Sequence, residues 1–153
     1  MDAWLAAYAE LIESLCTSGQ VDADRVYLAG GSMGGGIVME FITQYPELFA
    51  AAVAMCPRGT INDNLSCLTA VQDLPLWLFH TDGDTTNAPE ISDEIYAYLT
   101  EELNSTAVRY TRYTAEDMEK AGIAPNLTHN ASWQLGLAEE ELFPWLFSCQ
   151  KNA

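Results

Sequence analysis

The sequence predicts an α/β fold: a parallel sheet of about four strands flanked by helices. Three observations predict it. Short β-prone runs recur at residues 25–29, 50–55, 76–80 and 108–113, the first three largely apolar. Segments with apolar residues at helical spacing separate most of these runs. A glycine-crowded turn, LAGGSMGGG over residues 28–36, joins the first run directly to a helical pattern. Strands that alternate with crossover helices lie side by side and parallel.

Each element has its own warrant. Residues 2–18 place Trp4, Leu5, Tyr8, Leu11, Ile12 and Leu15 at helical spacing, and Gly19 is a suitable stop. This broad apolar face is expected to cover one side of the sheet. The run 25–29 reads as a buried strand. Residues 37–45 carry Ile37, Phe41, Ile42 and Tyr45 at helical spacing and end at Pro46, which cannot continue a helix. Residues 50–55 form a second, small-residue strand. Residues 57–74 read as a loop. The run 76–80 is apolar throughout, as a strand buried on both faces should be. A helix is expected over 89–103, with Pro89 near its first turn. Residues 108–113 are the fourth strand. Residues 114–131 read as a loop with about one helical turn, and a last helix over 137–147 is interrupted by Pro144.

Composition narrows the function classes. The chain has 153 residues, 49% of them hydrophobic, which fits one domain over 1–153 with a real core. Its formal charge is −16, from 22 acidic and 6 basic residues. Such a field repels nucleic acid and anionic membrane surfaces, so neither is expected as a partner. No apolar run reaches membrane-spanning length, and the amino terminus has no basic leader region. The expected location is cytoplasmic. Cys16, Cys56, Cys67 and Cys149 show no C-x-x-C spacing. Free thiols are expected, with a Cys56–Cys67 bridge as the alternative in an exported protein, and no metal or cofactor is expected. Asn64, Asn104, Asn126 and Asn130 each open an N-x-[ST] triplet, read as chance matches in the absence of a leader.

The glycine-crowded turn carries the chemistry. Gly30-Gly31-Ser32-Met33-Gly34 matches G-x-S-x-G, with a strand before it and a helix behind it. A serine on such a strained turn projects its hydroxyl. Side chains at positions 30 and 34 are expected to collide with the neighbouring elements. The helix that follows offers unpaired backbone N–H groups to an anion, and that of Met33 is the candidate oxyanion donor. A serine hydroxyl needs a base, and the base needs an orienting carboxylate. Of the two histidines, His80 closes an apolar strand and reads as a packed structural residue beneath the loop. His129 lies in a polar loop after the last strand, where the base of a Ser–Asp–His order belongs. Asp82 and Asp84, both in the turn after the third strand, are the candidate acids; Asp84 lies farther into the loop and has more freedom to face a neighbouring loop.

These pieces resemble the carboxy-terminal part of an α/β-hydrolase of the esterase and prolyl-oligopeptidase-like superfamily. The segments VDADRVYLAGGSMGGG, YPELFAAAVAMCP, PLWLFHTDGDTTNAPE and THNASW are similar to its predicted-peptidase and feruloyl-esterase-like branch. The resemblance puts the nucleophile at Ser32, the acid at Asp84 and the base at His129. Asn87 stands where that branch usually has valine, and Thr128 where it has glycine. The resemblance implies a truncated α/β-hydrolase-like sheet lacking the usual amino-terminal strands, one of whose loops supplies a second oxyanion donor. The implied activity is hydrolysis of small-molecule carboxylic esters. A serine peptidase and a non-catalytic binding or assembly module are the alternatives. Separately, Gly31 and Trp133 are the candidate substrate contacts, with Trp77 and Met33 as further candidates to line an apolar pocket. An open first strand also implies a homodimer paired edge to edge through residues 26–29.

Overall fold

The computed structural model describes residues 3–59 and 61–151. Four strands, β1 (Tyr27–Gly31), β2 (Ala51–Met55), β3 (Leu76–Thr81) and β4 (Val108–Tyr113), form one parallel sheet in the order β1-β2-β3-β4. The helices are α1 (Ala3–Thr17), α2 (Met33–Gln44), α3 (Glu90–Ala97), α4 (Ala115–Lys120), α5 (Thr128–Ala138) and α6 (Leu142–Ser148). The first expected helix also included Asp2, which lies outside the described residues.

Alternation along the strands makes two cores. Ala52, Ala54, Leu76, Leu78 and Val108 face one way and pack with Leu5 of α1, Val38, Met39 and Ile42 of α2, and Ile95 of α3. Ala51, Val53, Met55, Trp77, Phe79 and Tyr113 face the other way and pack with Trp133 of α5 and Leu142 and Leu146 of α6. The result is three layers, helices on both faces of a parallel sheet. β2 and β3 are buried at every residue, which is why they read as continuous apolar runs. A fully buried side chain such as Phe79 stabilises by about 1.5–3 kcal/mol relative to exposure.

Several expectations need correction. β1 lies two residues later than read and is half-buried, because it is an edge strand packed on one side only. The face of α1 is narrower: Leu5 and Ala9 are buried, whereas Trp4, Tyr8 and Leu11 are exposed. Helix α2 begins at Met33, immediately after the turn, because Gly34, Gly35 and Gly36 take helical backbone despite their low propensity. Residues 57–74 are not all loop: a kinked 3₁₀ segment, Asn62–Val71, buries Leu68 and Val71. Past Ala97 the chain widens into a π turn, Tyr98–Glu102. In the stretch 114–131, Thr114 and Asp117 form a reciprocal cap that starts α4. The last helical stretch is divided at Glu139, and Pro144 is tolerated within the first turn of α6. All four cysteines are free. Among the described residues, no helix is long and apolar enough to cross a membrane.

Candidate active site

Four loops leave the carboxyl ends of the strands, where parallel α/β sheets gather their chemistry. The turn after β1 sets Ser32 at φ 58°, ψ −120°, a left-handed conformation that costs a non-glycine residue on the order of 1–3 kcal/mol. Local contacts hold it there. The Ser32 N–H donates to the Met55 carbonyl at 2.9 Å, and its own carbonyl accepts from the N–H groups of Gly36 and Arg58, both at 3.1 Å. A Cβ on Gly30 would lie 2.5 Å from the Gly34 carbonyl oxygen, and one on Gly35 2.8 Å from that of Met55. The expected collision at Gly34 does not occur: a Cβ there meets nothing within 4 Å, because the first turn of α2 points it away from the described residues.

The loop after β3 carries Asp84, which is 4% exposed. Its Oδ1 accepts from the backbone N–H groups of Thr86 (2.8 Å) and Asn87 (3.1 Å). That cradle leaves Oδ2 facing Nδ1 of His129 at 2.7 Å. Nε2 of His129 lies 2.8 Å from the Ser32 hydroxyl. The carboxylate can only accept, so Nδ1 carries the proton and Nε2 accepts from Ser32. Ser32, His129 and Asp84 are thus brought into one hydrogen-bonded chain. Asp82 is not part of it. It pairs with Arg112, which also binds Asp93, and these two carboxylates hold the guanidinium pKa well above its ordinary value.

His129 is not in a loop as expected. It occupies the first turn of α5, which starts one residue earlier, at Thr128. The helix is tied to the sheet by the Ser132 hydroxyl, which donates to Oγ1 of Thr81 at 3.1 Å. Trp133, one turn on, packs edge-on against the His129 ring with centroids 5.2 Å apart. Trp133 also lies 3.3 Å from where a Cβ on Gly31 would sit. With Ala29, Gly30, Met55 and Leu137 these two line a cavity of about 420 Å³ beside the turn. The Met33 side chain is exposed, and its backbone N–H stands at the first position of α2.

Sequence reasoning missed the residues around the acid. Asn87 donates from Nδ2 to the carbonyl of Cys56 at 2.8 Å, tying the loop after β2, where Cys56 has φ 36°, to the acid loop. Its departure from the branch pattern was the available signal. The Cys56 thiol lies 3.6 Å from the His129 carbonyl, and burial pushes it up to about 11. Cys56 Sγ, an Asp84 oxygen and a His129 nitrogen lie within 4.8 Å of one another. His129 and Asp84 are hydrogen-bonded to each other, and the Cys56 thiol donates to the His129 carbonyl.

Residues 5–69 match the prolyl oligopeptidase family. Over 68 residues the chain is 35% identical to acylamino-acid-releasing enzyme 1 of Oryza sativa subsp. japonica, a stretch that is 44% of this chain and 8% of that protein. A thermostable esterase superposes with a TM-score of 0.83 at 32% identity, covering 98% of this chain and 38% of the esterase. A protein described as a dipeptidyl aminopeptidase IV, from Bacteroides ovatus, superposes with a TM-score of 0.64 at 19% identity over 90% of this chain and 22% of its own. The chain therefore spans well under half the length of each of these three proteins.

Proposed function

We propose that this chain, an α/β-hydrolase related to the prolyl oligopeptidase family and to a thermostable esterase, cleaves carboxylic esters through an acyl-enzyme on Ser32. One observation carries the reading: the Ser32–His129–Asp84 hydrogen bonds of 2.8 and 2.7 Å, built on a serine at φ 58°. In this reading Ser32 Oγ attacks the ester carbonyl carbon as Nε2 of His129 takes the hydroxyl proton. Asp84 keeps the imidazole in the required tautomer and stabilises the imidazolium. The negative oxygen of the tetrahedral intermediate faces the Met33 N–H at the amino end of α2. Collapse expels the alcohol, which takes its proton from His129. Water then attacks the acyl carbonyl as Nε2 of His129 takes its proton, and collapse of the second tetrahedral intermediate releases the carboxylic acid while His129 returns the proton to Ser32 Oγ.

The ester reading over the peptide one is supported by the likeness to the thermostable esterase, which extends over 98% of this chain at 32% identity. The cavity against Gly31 and Trp133 is the proposed site for the substrate's apolar part. The serine-peptidase reading rests on the family match over residues 5–69. A fluorophosphonate probe should label the wild type and not Ser32→Ala, and short p-nitrophenyl esters should be hydrolysed far faster than the matching anilides. Equal labelling of Ser32→Ala removes the nucleophile assignment; anilides cleaved as fast as esters favour the peptidase.

The four free cysteines support a reducing, cytoplasmic setting. We also propose edge-to-edge pairing of two copies through β1, supported by its half-buried edge position among the described residues. A stable, active monomer near 16.8 kDa in sedimentation at micromolar concentration would end that proposal.

A further inference from the structure

Asp84 meets two histidines. Besides His129, its Oδ2 lies 3.3 Å from Nε2 of His80, whose side chain is completely buried. That same Nε2 lies 3.0 Å from the Asn87 carbonyl oxygen. On the other side of the ring, Nδ1 lies 2.8 Å from the hydroxyl of Ser92, itself fully buried near the amino end of α3. These contacts decide the tautomer. A bare Nε2 would set a lone pair against a carbonyl and a carboxylate, two groups that only accept. A proton on Nε2 hydrogen-bonds the Asn87 carbonyl and turns an N–H, rather than a lone pair, toward the Asp84 oxygen. Nδ1 is then an acceptor, and Ser92 donates to it.

We propose that His80 and Ser92 are positioning residues for the acid, forming a buried mirror of the catalytic chain: Ser92–His80–Asp84–His129–Ser32. The two histidines share one carboxylate oxygen in opposite tautomers. Each accepts a serine hydroxyl on its far nitrogen; from its near one His129 donates to Asp84, while the His80 N–H bonds the Asn87 carbonyl and stands 3.3 Å from the same Asp84 oxygen. The difference lies in access. Ser32 lies at the mouth of the turn, whereas Ser92 and His80 have no exposure, so the second serine can only orient. The fold accounts for the placement. His80 is the fifth residue of β3, and strand alternation points it toward the α3 layer, where Ser92 waits. Thr81, the next residue, points toward α5.

This inference rests on the hydrolase reading and deepens it. The His80 N–H dipole, 3.3 Å away, stabilises the charge on the oxygen that faces His129. Without it, the carboxylate holds the imidazolium more tightly and orients it less well. Burial lowers the His80 pKa, against the pull of Asp84 and Asp93, so the ring is neutral when the site works. The other charged groups nearby are accounted for: Asp93 and Asp82 are engaged by Arg112, and Asp93 also accepts from the Tyr110 hydroxyl at 2.8 Å. On the His129 side the Cys56 thiol is protonated.

The test compares His80→Phe, which fills the space without a donor, with His80→Gln, which keeps an N–H at about the reach of Nε2, and with Ser92→Ala. In His80→Phe, kcat for a p-nitrophenyl ester should fall about ten- to a hundredfold with little change in KM, the scale seen for outer-shell partners of metal-bound histidines. The acid limb of its kcat/KM profile should move to higher pH. His80→Gln should restore the limb, and Ser92→Ala should fall between. A merely structural histidine would lower stability in all three and leave the limb in place, which would overturn the proposal. The chain has only two histidines, so ¹⁵N-histidine NMR of the wild type reads both tautomers directly and needs no folded variant. Nε2–H on His80 with Nδ1–H on His129 is expected; Nδ1–H on His80 overturns the assignment. A wild type that fails to react with the fluorophosphonate probe would overturn the hydrolase reading instead, and the NMR result would still decide the hydrogen bonds.

Discussion

The turn after β1 and the loop after β3 hold two ends of one hydrogen-bonded chain, and they do so by opposite means. The β1 turn is shaped by side chains that are missing. Gly30 and Gly35 let backbone approach backbone where a Cβ would come within 3 Å, and Ser32 is pressed into a left-handed conformation between them. The β3 loop is shaped by side chains that are present. Asp84 is fixed by two backbone N–H groups, Asn87 ties the loop to Cys56, and His80 supports it from below. A requirement for glycine leaves a local signature in sequence. A cradle of hydrogen bonds leaves almost none, since Asp, Thr and Asn are ordinary turn formers.

The largest expected effect contrasts two aspartates of the β3 loop. Asp84→Asn turns an acceptor-only group into one with a donor, which either faces His129 and forces the wrong tautomer or loses the Thr86 and Asn87 N–H bonds. Ester hydrolysis should fall by about 10⁴. Asp82→Asn should leave the rate within severalfold. Its pair with Arg112 is more than a third exposed on both sides, so screening limits the loss to about 0–1 kcal/mol of stability. Equal losses of rate in the two variants would erase the distinction between them.

The next effect moves to the β1 turn. Gly30→Ala places a methyl 2.5 Å from the backbone oxygen of Gly34, which cannot step aside as a side chain could. Overpacking of this kind costs about 1–3 kcal/mol. In thermal unfolding, a chain of this length should lose several degrees of Tm. An unchanged Tm would mean the turn is softer than its contacts imply.

The same contrast explains what the sequence revealed. The strands were legible because β2 and β3 are buried on both faces and had to be apolar. The elbow was legible because its glycines sit within seven residues of one another. The first turn of α5 was not: residues 114–131 carry few apolar positions at helical spacing, and the helix forms there because Thr81 and the sheet receive it. The 3₁₀ segment Asn62–Val71 hid for a similar reason, burying only Leu68 and Val71. His80 was recognised as buried, but its contact with Asp84 depends on a loop folding back four residues, which periodicity does not encode.

The smallest effect falls on the glycine where pattern and structure disagree. Gly34 fills the last position of G-x-S-x-G, yet a Cβ there meets nothing within 4 Å, and its backbone is helical. For the described residues alone, Gly34→Ala should behave as an ordinary helix substitution. Alanine restricts the unfolded chain more than glycine does, and the gain is about 0.5–1 kcal/mol. Calorimetry should then show Tm rising by about 1–4 °C, opposite in sign to Gly30→Ala only four residues away. A fall in Tm would have a different meaning. It would require a body packed against the first turn of α2 that residues 3–59 and 61–151 do not supply. A strand paired to the open edge of β1 lies on the neighbouring element and is the first candidate. Sedimentation of the same variant separates the cases: an oligomer that weakens with Gly34→Ala puts that body in a second copy, and an unchanged one puts it elsewhere.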